Sequence, residues 1–205
     1  KWGKWYLEIT NVDGFRLDAV KHIKAGFYKE WLKNLRNSTQ KELFTIGEYW
    51  SRNLEALKNY IEETDSEIAL FDVPLHYNMF EAANSGGNYD MRNILNGTLV
   101  KEKPELAITF VDNHDTQPGQ SLCSWITDWF KPLAYAIILL RKQGIPCVFY
   151  GDYYGIEHDG VSSKKDILEK MMLARKYFAY GTQNDYFDDE NIIGWTLEGN
   201  YDYPD

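Results

Sequence analysis

Short apolar runs recur along the chain, and several of them stop at a carboxylate. Gly14-Phe15-Arg16-Leu17-Asp18, Phe44-Thr45-Ile46-Gly47-Glu48 and Thr109-Phe110-Val111-Asp112-Asn113-His114-Asp115 share this form. Continuous apolar runs of this length read as strands covered on both faces. The pattern predicts strands near 14–18, 43–48, 68–73, 107–112 and 145–150. Helical spacing fills the gaps. Phe27, Trp31, Leu32 and Leu35 mark a helix over 24–36, and Leu54, Leu57 and Ile61 mark one over 52–62. An aliphatic helix is expected over 131–143, with Pro132 near its start, where a missing N–H costs least. A further helix is expected over 164–180, with Ser163 as N-cap and Gly181 just past its end.

Strand-helix alternation at this spacing predicts a parallel α/β architecture. Five strands fall about three short of a closed (β/α)₈ barrel. After Gly181 the pattern changes: 191–199 reads as an antiparallel strand with its turn. The expected organisation is therefore residues 1–181 as five βα units of a barrel, and 182–205 as the start of a β domain. Lys1 is not a methionine, and Asp205 falls inside what reads as a domain. The chain is thus expected to be a piece of a longer protein.

Composition narrows the function. A net charge of −9 with no basic stripe argues against nucleic acid as a partner. The longest aliphatic run, Leu133 to Leu140, is far too short to span a membrane. Cys123 and Cys147 fit no metal-binding or CxxC spacing and read as unpaired thiols. That tilts the compartment toward the reducing cytoplasm but leaves it open.

Each acid has a structural and a chemical reading. Residues two apart on a strand share a face, so Arg16 and Asp18 point the same way. They form either a structural ion pair or a carboxylate kept ionised by a guanidinium, as a nucleophile requires. Glu48 lies between Phe44-Thr45-Ile46 and Tyr49-Trp50. It is either a solvent-facing strand end or a proton donor in an apolar surround. Asp112-Asn113-His114-Asp115 reads as a capping turn, a metal site or part of a converging carboxylate set. Lys21 and His22 fall in the loop after the first strand. Tyr49, Trp50, Tyr77, Tyr150, Tyr153 and Tyr154 lie near strand ends, where aromatic faces suit sugars as well as cores.

The segments Gly14 to His22, Gly47-Glu48-Tyr49-Trp50 and Phe110 to Asp115 resemble three signature regions of the α-amylase family of glycoside hydrolases. Asn113 to Gln120 and Trp129 to Ala136 are similar to the bacterial liquefying-type members. The resemblance implies retaining endo-hydrolysis of α-1,4-glucosidic bonds in starch, glycogen and maltooligosaccharides by a monomeric parent protein. It implies that Asp18 is the nucleophile, Glu48 the general acid and Asp115 the third acid. Arg16, Lys21, His22, Trp50 and His114 are the implied substrate-binding residues.

The resemblance also implies structural calcium. The His22 carbonyl matches one ligand of a site whose other ligands lie outside this chain. Gly87, Tyr89 and Asn191 match a second calcium site, where Glu190-Asn191 replaces a histidine-aspartate pair. Related transglycosylases share the same acids, so transfer is the alternative chemistry. A non-catalytic sugar-binding relative would ordinarily have lost an acid, and here all three are present.

Overall fold

The computed structural model of the chain describes residues 1–199. Its helices are α1 (Trp2–Thr10), α2 (Ala25–Thr39), α3 (Leu54–Glu63), α4 (Val73–Asn84), α5 (Leu99–Glu102), α6 (Lys131–Leu140), α7 (Tyr150–Tyr154) and α8 (Lys165–Phe178). Its strands are β1 (Gly14–Leu17), β2 (Phe44–Gly47), β3 (Ala69–Phe71), β4 (Ala107–Phe110), β5 (Ile145–Cys147), β6 (Gln183–Tyr186) and β7 (Gly194–Leu197). β1 to β5 form one parallel sheet in sequence order, and β6 pairs with β7 antiparallel. This is the expected partial (β/α)₈ barrel followed by the beginning of a β structure. Residues 200–205 of the expected second domain lie outside the described residues.

The sheet forms because its runs are apolar throughout. β4 is buried along its whole length, and Ile108 pairs with Ile145 on one side while Leu70 pairs with Ala107 on the other. Helices cover the strands with part of the set their spacing predicts: Leu32, Leu35, Leu57 and Ile61 are buried, while Trp31 and Leu54 are half-buried. α2 buries Ala25, Tyr28, Leu32 and Leu35, and α3 buries Leu57, Tyr60 and Ile61. α6 is apolar on nearly every face because it is enclosed between the sheet and α8. The main core runs from Val20 to Leu168, and Leu7, Leu35 and Leu43 form a second cluster beneath α1. Each fully buried Leu or Ile contributes about 1.5–3 kcal/mol by leaving water.

The structure corrects several sequence expectations. Phe27 is exposed, and Tyr28 takes the inward position on α2. The third strand stops at Phe71 and the fifth at Cys147, because α4 starts at Val73 and α7 at Tyr150. The aliphatic helix ends at Leu140. Lys164, not Ser163, is the N-cap of α8, although Ser163 Oγ accepts from Lys165 N at 3.2 Å. Ala179 caps the C-terminal end of that helix. Gly181 lies beyond it with φ +87°, and a Cβ there would fall 2.0 Å from the Gly199 carbonyl oxygen. Both cysteines are free, as expected, and both are exposed. Among the described residues no helix is long and apolar enough to cross a membrane.

Candidate active site

In a parallel sheet all strand carboxyl ends lie on one side, and that side is where barrels and open α/β sheets place their chemistry. Asp18, Glu48, Asp72 and the Asp112–Asp115 turn all follow their strands directly. The register of β1 against β2 runs Gly14↔Phe44 to Leu17↔Gly47. The pairing then continues past both strands. Glu48 N donates to Leu17 O at 2.9 Å, and Val20 N donates to Glu48 O at 3.0 Å. The backbones carrying Asp18 and Glu48 are thereby locked side by side.

Arg16 joins the two acids. Its Nη1 donates to Asp18 Oδ1 at 2.5 Å, and its Nη2 lies 3.2 Å from Glu48 Oε2. Glu48 Oε2 also accepts from Ala19 N at 3.1 Å. Ala19 makes this possible by adopting left-handed φ 45°, ψ 43°, a conformation that costs a non-glycine residue about 1–2 kcal/mol. The Glu48 side chain is 8% exposed and that of Asp18 is 73% exposed. Glu48 is therefore buried, as its neighbours implied, but among donors rather than in a purely apolar shell. The Arg16 hydrogen bond is the chief cause holding the Asp18 carboxyl below its ordinary range. Partial burial opposes it, while a hydrogen bond with Glu48 and the charges of Arg16 and His114 reinforce it.

Asp115 lies beside His114, whose charge also acts on Asp18. His114 Nε2 lies 3.4 Å from Asp115 Oδ2, and the same ring helps to lower Asp18. The capping-turn reading also holds for this segment. Asn113 Oδ1 accepts from Asp115 N and Thr116 N, each at 2.9 Å. Asp112 is fully buried and bonded to Thr116, Ile126 N and Lys131. Asp115 is the acid of this segment that keeps some exposure.

Lys21 Nζ donates to Trp50 O at 3.1 Å, tying the loop after β1 to the loop after β2. His22 ends the short helix Val20–His22 and is exposed. Trp50 lies in an aromatic group with His76, Tyr77 and Phe110, at centroid distances of 6.0 to 6.3 Å.

The pattern of an apolar run ending in an acid also selects Asp72, and there it selects structure. Asp72 is fully buried and accepts from Leu75 N, Leu99 N and Val100 N at 3.1, 3.1 and 2.7 Å. Burial pushes its carboxyl up to about 6. Sequence reasoning also missed His76, which is buried and stacked on Phe110 at 5.1 Å. His76 Nδ1 bonds Val111 O at 2.7 Å, and its Nε2 bonds Ser124 Oγ at 2.8 Å. The Asp72-Val73-Pro74 turn was a legible sign of a helix start. Nothing in the sequence marks the burial of His76.

Of the expected calcium ligands, Gly87, Tyr89 and Asn191 line a single cleft of about 210 Å³ with Asn88, Asp90 and Glu190. Asp90 is already engaged, because Arg92 Nη2 donates to its Oδ2 at 2.8 Å. The Glu190 carbonyl accepts from Met91 N at 2.8 Å. The donors are oxygens, which suit Ca²⁺; the Asp90 charge is shared with Arg92, and the Glu190 side chain is the other carboxylate of the lining. Among the described residues there is no cluster of three or more His, Cys, Asp or Glu that could hold a metal.

Parallel strands flanked by helices, with acids at their carboxyl ends and two of them joined by one arginine, define the class: part of a (β/α)₈ barrel. The chain belongs to the α-amylase family, since residues 1–195 match the model of the α-amylase catalytic domain. It is 57% identical over 198 residues to an α-amylase of Geobacillus stearothermophilus, covering 97% of this chain and 36% of that protein. It is 45% identical over 213 residues to the cytoplasmic α-amylase of Escherichia coli (strain K12), covering 99% of this chain and 43% of that one. Among solved structures, the α-amylase from Geobacillus thermoleovorans complexed with acarbose superposes with a TM-score of 0.70 at 20% identity, over 94% of this chain and 47% of that one. The chain thus spans less than half the length of these relatives.

Proposed function

We propose that this chain supplies the reacting acids of a retaining endo-hydrolase of α-1,4-glucosidic bonds in starch, glycogen and maltooligosaccharides. The observation that carries the reading is the joining of Asp18 and Glu48 by Arg16 on the acid-bearing face. An arginine-held, exposed carboxylate is what attack on an anomeric carbon needs. Asp18 would attack from one side of the sugar and form a glycosyl-enzyme, as Glu48 protonates the departing oxygen. Glu48 would then take a proton from water as that water releases the sugar. Asp115 would bind sugar hydroxyls and offset the positive charge that grows at the ring, with His114 beside it. Arg16 would fix the nucleophile, while Lys21, His22 and Trp50 would line the leaving-group side.

Calcium enters this reading as a structural ion. The His22 carbonyl would be one ligand of one site, and the cleft of Gly87, Tyr89 and Asn191 the other. When bound, the ion would supply rigidity and take no part in proton transfer. In the same reading, residues from 182 onward open a separate β domain.

The test uses the complete gene product that contains this chain. It should cleave soluble starch internally, with a rapid fall in iodine staining, and leave the α-1,6 links of pullulan intact. NMR should show the α-anomer first. Asp18→Asn and Glu48→Gln should each cut turnover by orders of magnitude while the fold is kept. Initial β-anomer would overturn the double displacement, and cyclic or transfer products in place of free sugars would overturn hydrolysis.

A further inference from the structure

Behind the acid-bearing face lies a charge cluster that the chemistry above does not use. Lys131, the first residue of α6, has no exposed side-chain surface. Its Nζ lies 2.8 Å from Asp112 Oδ2, pairs with Asp152, and sits 3.1 Å from the centre of the Trp125 ring. Tyr135 Oη donates to Asp152 Oδ2 at 2.6 Å. Lys131, Asp112, Asp152 and Tyr135 are all buried.

A buried ion cluster is a poor device for stability alone, because well-packed apolar groups do as well without the cost of desolvation. What this cluster does is geometric. Asp112 follows β4 and Asp152 lies in α7 after β5, so one ammonium bridges the carboxyl ends of two neighbouring strands. Burial pushes the Asp112 carboxyl up to about 7, with Lys131 opposing and Asp152 adding to the rise. Removing Lys131 would thus leave two carboxyls facing each other in a dry interior.

The constraint passes from Asp112 toward Asp115. Thr116 Oγ1 donates to Asp112 Oδ1 at 2.8 Å and accepts from Asn113 N at 2.9 Å. Asn113 Oδ1 in turn accepts from Asp115 N at 2.9 Å. A continuous line of hydrogen bonds therefore runs from the Lys131 ammonium to the backbone of Asp115. A second brace holds the same loop: Ser124 N donates to Thr116 O at 3.1 Å, and Ser124 Oγ bonds His76 Nε2.

We infer that Lys131 is a positioning residue that sets the place of Asp115 through Asp112, Thr116 and Asn113 without touching substrate. The inference rests on the proposed role of Asp115, but its structural part stands without it.

The test compares Lys131→Met and Thr116→Val with the unaltered complete gene product, at a temperature where circular dichroism shows each to be folded. Thr116→Val cuts the line and removes one hydrogen bond from Asp112 but leaves both Lys131 ion pairs in place, so it carries the test if Lys131→Met does not fold. The structural readout is the amide NMR shift of Asp115, and the kinetic readout is kcat against KM on a chromogenic maltooligosaccharide. The expected result is a displaced Asp115 amide in the variants, with kcat reduced about tenfold or more and KM within about twofold. An unmoved Asp115 amide overturns the inference whatever the activity. A moved amide with kcat unchanged also overturns it, since the role would then be structural alone. If the amide moves while the unaltered protein cleaves no α-glucan, the functional proposal fails and the positioning stands.

Discussion

Arg16 holds Asp18 at 2.5 Å with one guanidinium nitrogen and approaches Glu48 at 3.2 Å with another. One side chain thus fixes two carboxyl groups whose proposed roles are opposite. Asp18 must be ionised to attack, and this contact is the largest influence keeping it so. The sign follows directly. A carboxyl held below its ordinary range stays charged to lower pH, so activity that needs it survives further into acid. Arg16→Met should move the acid limb of the kcat/KM profile to higher pH and lower the plateau, because the aim of Asp18 is also lost. An acid limb at the original pH would mean that Arg16 does not set the ionisation of the nucleophile.

His76 supplies a pH dependence of stability rather than of chemistry. Burial pushes its imidazole from 6.5 down to about 4, so the folded protein keeps it neutral where an unfolded chain would protonate it. The unfolded state then binds more protons between about pH 4 and 6.5, and stability from this group falls as pH falls through that window. The full effect is about 3 kcal/mol. His76→Gln removes the titration. The stability difference between unaltered protein and variant, from urea unfolding, should therefore shrink between pH 7 and pH 4. A constant difference would show that His76 does not titrate on unfolding.

Gly14 shows how tightly the strand under Asp18 is held. A Cβ at this position would lie 1.9 Å from the Phe44 carbonyl oxygen, in the pair that sets the register of β1 against β2. Backbone cannot yield as a flexible side chain can, so Gly14→Ala must push the strands apart. The expected loss is about 1–3 kcal/mol of stability, read as a lower urea midpoint. Because Arg16 and Asp18 follow on the same strand, turnover should fall even where the variant is fully folded. Equal stability and turnover would show that the strands part without cost.

Much of this was legible. β4 and α6 announce themselves as unbroken apolar runs, and the positions of Asp18, Glu48 and Asp115 after apolar runs mark the sheet end where the acids gather. Other elements were hidden by their surroundings. β6 is Gln-Asn-Asp-Tyr, a largely exposed strand held by pairing with β7 and by Arg141 bonding Asp185 at 2.7 Å, so no hydrophobic signal marks it. α4 was marked at its start by Asp72 and Pro74, but Val73-Pro74-Leu75 also extends the apolar run of β3, which blurs the boundary between the two. Lys131 reads as an ordinary polar residue at a helix start. Its burial depends on Asp112 and Asp152, which only the fold brings to it. The left-handed Ala19 is invisible for the same reason: its conformation follows from closing the Asp18 loop onto Glu48.

The cleft of Gly87, Tyr89 and Asn191 yields a prediction about charge. Calcium sites are tuned by the number of charged oxygen ligands. Here Asn191 is neutral, Asp90, although held as a carboxylate chiefly by Arg92, spends that charge on the guanidinium, and Glu190 is the other carboxylate of the lining. Calcium binding at this cleft should accordingly be weak. Asn191→Asp adds a carboxylate where the oxygens already converge, so calcium should stabilise the variant more than the unaltered protein. Ligand linkage makes this measurable, because each tenfold gain in affinity adds about 1.4 kcal/mol at saturating ion. Calorimetric Tm values across a calcium titration of the complete gene product, with magnesium as control, would read it. Any other calcium site contributes equally to both proteins and cancels in the comparison. Identical calcium dependence in the two would show that this cleft does not bind the ion.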